Sequence, residues 1–102
     1  MTAHELLKRI ESKTAPVIID ARTGIEFKRG HIPGAINAQA RQILLKTVRL
    51  PEDQNAELVI YCAHGPRAMI TMRLLARQGY RNTDLLNGHW KVWHNAGLPM
   101  VK

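Results

Sequence analysis

Apolar positions in this chain fall into two kinds of run. Leu6, Leu7 and Ile10 recur at helical spacing behind Thr2, and Glu5 at the N3 position completes a capping box, so the pattern predicts an amphipathic helix reaching about Lys13. Val17-Ile18-Ile19, behind Pro16, and Leu58-Val59-Ile60-Tyr61 are instead short apolar stretches without polar alternation. Strands covered on both faces have this composition, because neither face meets water. Asp20 ends the first of them.

Between and beyond these runs the punctuation is local. Thr23 caps a brief helix through Phe27 and Lys28 that Gly30 stops, and His31-Ile32-Pro33-Gly34-Ala35 reads as loop. Ile43, Leu44 and Val48 predict a helix ahead of Pro51. Good helix formers run from about Pro66 to Gln78, with Met69, Ile70, Met72, Leu74 and Leu75 supplying apolar contact and Gly79 at C′. Thr83 to Leu86 suits a third strand, and Gly88 opens a last helix that carries Trp90 and Trp93 on one face and ends near Gly97. Strand and helix therefore alternate, the signature of an α/β parallel sheet flanked by helices. No internal repeat is visible.

Composition narrows the class. A chain of 102 residues has room for one compact domain, here taken as 1–102. With 45% hydrophobic and 23% charged residues it reads as an ordinary globular protein. The longest apolar stretch, Leu58 to Ala63, is far short of the ~20 residues that span a bilayer, so no membrane partner is expected. Residues Met1 to Leu7 lack a secretory apolar core and contain Glu5, which transit peptides avoid, so cytoplasmic residence is expected. The formal charge of +7 raises the question of an anionic partner, but the cations are scattered along the chain and aromatics are 5%, which argues against nucleic acid. A field drawing small anions to a cleft fits, and so does simple solubility. The single cysteine makes no internal disulfide, and Cys/His spacings for a metal are missing, so neither metal nor cofactor is expected.

That leaves Cys62 as either a buried hydrophobe or a reactive thiol. It lies where a buried strand gives way to a helix, and in open α/β folds ligands bind at the carboxyl ends of strands. Backbone N-H groups of the loop Cys62-Ala63-His64-Gly65-Pro66-Arg67 and of the following first turn lack helical partners and are free to face an anion. The helix N-terminus adds roughly half a positive charge, so Cys62 is expected to ionise below the ~8.5 of a free thiol. Arg67 is either a further charge on that sulfur or a surface cation, and His64 either binds or screens substrate or has no role. Gly65 suits a backbone conformation closed to side chains, and Pro66 fits the first helical position while removing one N-H donor. Asp20 reads equally as a turn acceptor and Arg22 as a solvated cation.

Four segments in register resemble the rhodanese domain family over almost the whole chain. They are Val17-Ile18-Ile19-Asp20-Ala21-Arg22; Glu26-Phe27 with Gly30 through Asn37; Leu58 through Cys62 with Gly65 and Arg67; and Gly79-Tyr80-Arg81-Asn82 with Leu86, Gly88, Trp93 and Ala96-Gly97-Leu98-Pro99. The resemblance implies a three-layer α/β fold with a parallel twisted sheet of about four to five strands and helices on both faces. It also implies a thiosulfate sulfurtransferase, in which a persulfide forms on Cys62. Amides from Ala63 through Arg67 would then bind the sulfur and its small anionic donor, with Asp20 and Arg22 helping to hold the site together. With no second cysteine, the acceptor is external: cyanide, a thiol or a protein. Two departures stand out. The short edge strand that many relatives place before the first helix is expected to be absent or cut to one or two residues, and Pro66 replaces a residue with an N-H. Two rivals remain: a binding or sulfur-sensing module on the same scaffold, and a cysteine phosphatase. The phosphatase is disfavoured because only four residues separate Cys62 from Arg67, a short loop for a phosphoryl group.

Overall fold

The computed structural model describes residues 1–102. In chain order it contains α1 (Ala3–Glu11), β1 (Val17–Asp20), α2 (Gly24–Arg29), β2 (Ile36–Asn37), α3 (Ala40–Leu44), β3 (Leu58–Tyr61), α4 (Pro66–Arg77), β4 (Thr83–Leu85) and α5 (His89–Asn95). The strands form one parallel sheet in the order β2-β1-β3-β4, with Val17 opposite Leu58 and Asp20 opposite Tyr61. β1 and β3 thus end side by side, and the segments leaving them share one edge of the sheet.

The uninterrupted apolar runs have the cause their sequence indicates. Ile18, Val59 and Tyr61 pack with Ala3 and Leu6 of α1 and Trp93 of α5, whereas Ile19, Leu58, Ile60 and Cys62 pack with Ile43 of α3 and Ala68 and Leu75 of α4. Alternate side chains of each central strand therefore enter separate cores, and the sheet is the middle of three layers. The sequence-predicted capping box of Thr2 with Glu5 forms, and Thr23 caps α2 as expected, with Glu26 completing a second box. No helix is long and apolar enough to cross a membrane.

Three local expectations are revised. α3 lies earlier than Ile43 to Val48 suggested: Lys46 turns left-handed at φ 57°, and Val48 packs against the core from the loop. On α4, Met69 and Ile70 are exposed while Ala68, Thr71 and Leu75 face the sheet, so small side chains at helical spacing bring the helix close. β2 lies within the Gly30 to Asn37 segment, where the sequence predicts no strand; its two residues are too few to show a period, and pairing of Ile36 with Ile19 creates it. α1 is the first element of the structure.

Candidate active site

Cys62 directly follows β3 and is 1% exposed, its side chain on the α3/α4 side of the sheet. Its Sγ accepts a hydrogen bond from the Gly65 N-H at 3.0 Å. Gly65 has φ 136° and ψ −49°, a conformation that a β-carbon disfavours, and it delivers Pro66 to the first position of α4. The N-H groups of Ala63, His64, Arg67 and Ala68 have no acceptor within the chain; the helix's own bonding starts with Met69 N donating to Gly65 O.

The first turn of α5 grips the other side of the loop. Trp90 N donates to Cys62 O at 2.9 Å and Lys91 N to Ala63 O at 3.2 Å, while Cys62 N donates to His89 Nδ1 at 3.3 Å. A trans peptide points its N-H opposite to its C=O, so with these carbonyls drawn to α5 the Ala63 and His64 N-H groups point away from it. The loop thus presents donors without acceptors beside a sulfur already holding one hydrogen bond, an arrangement suited to a small anion.

Arg67 is at the loop but is not free. Its Nη1 and Nη2 donate to Glu26 Oε1 and Oε2 at 2.7 and 3.2 Å. Arg67 in turn draws the Glu26 carboxyl down to about 2, against the opposing effect of burial. The Arg67 guanidinium is held above its ordinary range by Glu26 first, with a smaller attraction from Cys62. Glu26 also accepts the Thr23 N-H at 3.0 Å, so the capping carboxylate of α2 is what orients the arginine. Arg67 Nε and the second hydrogen on each terminal nitrogen stay available.

Asp20 and Arg22 are neither a simple turn acceptor nor a solvated cation. Both are buried, and Arg22 Nη2 meets Asp20 Oδ2 at 2.7 Å. Asp20 also accepts the Tyr61 hydroxyl at 2.7 Å and the Arg22 backbone N-H at 2.9 Å. Arg22 reaches Gly30 O at 2.6 Å, and its Cζ lies 4.5 Å from the Trp90 ring centroid. Burial works against the Arg22 charge, but the Asp20 hydrogen bonds and attraction outweigh it and hold the guanidinium above its usual range. Burial, followed by the neighbouring Asp20 charge, pushes the Tyr61 hydroxyl well up. This knot braces β1 against β3 one residue before Cys62.

His64 is exposed and, with Ala63, lines a cavity of about 480 Å³ shared with Trp90, Lys91 and His94; Pro66 is exposed at the helix start. No group of His, Cys, Asp or Glu side chains is arranged to hold a metal ion. Glu26, Tyr61, His89 and Trp90 join the site without having been singled out for it. In the sequence Glu26 stands only within a family-like segment and Tyr61 only as a strand residue.

The family described as "Rhodanese-like domain" matches residues 2–96. The chain is 30% identical over 99 residues to a sulfurtransferase of Allochromatium vinosum, covering 97% of this chain and 91% of that one. It is 32% identical over 106 residues to a thiosulfate:glutathione sulfurtransferase of Saccharomyces cerevisiae, covering 91% and 76% respectively. Among solved structures, a rhodanese-related protein from Thermoplasma volcanium aligns with a TM-score of 0.82 at 27% identity over 99% of this chain and 95% of that one.

Proposed function

Given that the chain belongs to the rhodanese-like domain family, we propose that it is a sulfurtransferase that carries a sulfane sulfur on Cys62. The observation that carries the reading is the Cys62 Sγ seated 3.0 Å from the Gly65 N-H, in a loop whose Ala63, His64, Arg67 and Ala68 N-H groups have no other acceptor. In the first step the Cys62 thiolate attacks the outer sulfur of a donor such as thiosulfate. The donor's S-S bond breaks, and sulfite leaves with the electron pair. In the second step an external thiolate or cyanide attacks the outer sulfur of the persulfide; that S-S bond breaks and the electron pair returns to Cys62. The loop amides stabilise the negative sulfur in both resting forms, and Arg67, oriented by Glu26, offers its unused N-H groups to the departing anion.

Cys62 has no second cysteine to resolve it, so the persulfide persists until an external acceptor arrives. The scaffold serving as a sulfur-sensing or binding module is the second reading, favoured by one observation: the sulfur is nearly covered, so attack requires the loop to yield. Intact mass after thiosulfate treatment separates the two. A gain of one sulfur, absent in Cys62→Ser and discharged by cyanide as thiocyanate, is expected. An unmodified protein whose thiol still alkylates supports the module.

A further inference from the structure

His89 takes no part in the steps above, yet its conformation is unusual. It opens α5 at φ 52°, in the left-handed region that side chains seldom occupy, and Gly88 before it is at φ 76°. Its side chain is drawn inward, leaving the residue 8% exposed. Strained residues persist only where surrounding contacts over-determine them.

Those contacts are with the loop of Cys62. Backbone pairing past β3 stops at Leu86 N donating to Ile60 O, and Leu86 O is taken by the His89 N-H at 3.1 Å. The Cys62 N-H is therefore left without a backbone acceptor, and His89 Nδ1 supplies one. At the other ring edge, Nε2 lies 3.5 Å from where a β-carbon on Gly65 would stand. The imidazole thus spans Cys62 and Gly65, the two residues joined by the hydrogen bond to Sγ.

We propose that His89 is a positioning residue for the Cys62 thiolate: its neutral imidazole holds the Cys62 N-H and backs Gly65, keeping the sulfur against the loop amides. Acceptance at Nδ1 requires the ring proton on Nε2. Burial, and then the charge of His64, hold the His89 proton affinity below the ordinary range, so the ring is neutral at physiological pH. The titratable residues that face it are Cys62, through its N-H, and His64, through its charge, and no carboxylate offsets a charged ring. Protonation sets an N-H at Nδ1 against the Cys62 N-H, two donors facing one another, and the loop loosens.

The inference rests on Cys62 being the reactive sulfur, but its test uses iodoacetamide alkylation, which needs no sulfur donor. The rate is followed from about pH 5 to 9 in the whole protein, His89→Asn and His89→Gly. Asparagine tolerates the left-handed backbone and keeps a non-titrating acceptor; glycine relieves the backbone and removes the acceptor. In wild type the acid limb falls more steeply than one ionisation allows. His89→Asn shows a single ionisation with the wild-type thiol constant, and in His89→Gly that constant is about tenfold weaker. A His89→Gly profile matching wild type in both constant and steepness overturns the proposal. Should that variant not fold, a wild-type steepness retained in His89→Asn overturns it equally. Failure of thiosulfate to load Cys62 sinks the sulfurtransferase reading and leaves this result standing.

Discussion

Replacement of Asp20 by asparagine tests the bracing of the site most directly. The carboxylate is fully buried and accepts the Arg22 N-H at 2.9 Å, Arg22 Nε at 3.0 and 3.1 Å, Arg22 Nη2 at 2.7 Å and the Tyr61 hydroxyl at 2.7 Å. An amide keeps one acceptor oxygen and turns the other position into a donor. On the Oδ2 side that donor faces Arg22 Nη2 and Tyr61; on the Oδ1 side it faces the Arg22 backbone N-H. Either orientation leaves the Arg22 charge buried without its counter-ion, for which the expected cost is about 3–5 kcal/mol. A domain of this size has roughly 5–15 kcal/mol in total, so the midpoint of thermal unfolding should fall by more than about 12 °C. Guanidinium unfolding followed by fluorescence of Trp90 and Trp93 measures it, with an unchanged slope confirming that the native state is still compact. The double replacement Asp20→Leu with Arg22→Met leaves no unpaired charge and should cost less than Asp20→Asn alone. Asp20→Asn within about 1 kcal/mol of wild type at neutral pH would refute the reasoning.

Two further outcomes follow from side chains on either side of the loop. Thr71 is fully buried on α4 and its Oγ1 has no hydrogen-bond partner, so Thr71→Val, which keeps the shape, should stabilise by about 1 kcal/mol in the same unfolding assay. Glu26 has its folded value depressed to about 2 from the ordinary 4.5, so its contribution is complete above 4.5 and is lost as pH falls towards 2. The pair with Arg67 is more than a third exposed on the arginine side, which limits that contribution to about 1 kcal/mol or less. Glu26→Gln retains the helix cap, so thermal melts at descending pH should show a flatter acid limb over this window with little change above it; an unchanged limb excludes Glu26 as its source.

How much was legible in advance depends on the distance over which each feature is decided. The central strands, the Thr2 capping box, the Thr23 cap and the placement of Cys62 between strand end and helix start are local. Backbone propensity, side-chain period and cap chemistry act within a few residues, and both faces of β1 and β3 are covered, so their runs carry no alternation to misread. On α4, Met72, Leu74 and Leu75 pack on the core as expected, but hydrophobicity ranks Met69 and Ile70 above Ala68 and Thr71, whereas close approach to the sheet selects for size.

The chemistry of the site needed the tertiary structure. Glu26 meets Arg67 and Tyr61 meets Asp20 across 41 residues of chain, and His89 meets Cys62 across 27. Strand register and the packing of α5 against the loop set those encounters, and no period or cap within either segment encodes them. By itself, the sequence determined the central strands, most of the helices and which residue is the nucleophile candidate, whereas β2 exists only through its pairing with β1. Only the fold decided what surrounds that sulfur, because hydrogen bonds between distant segments exist only once the sheet has brought their ends to the same edge.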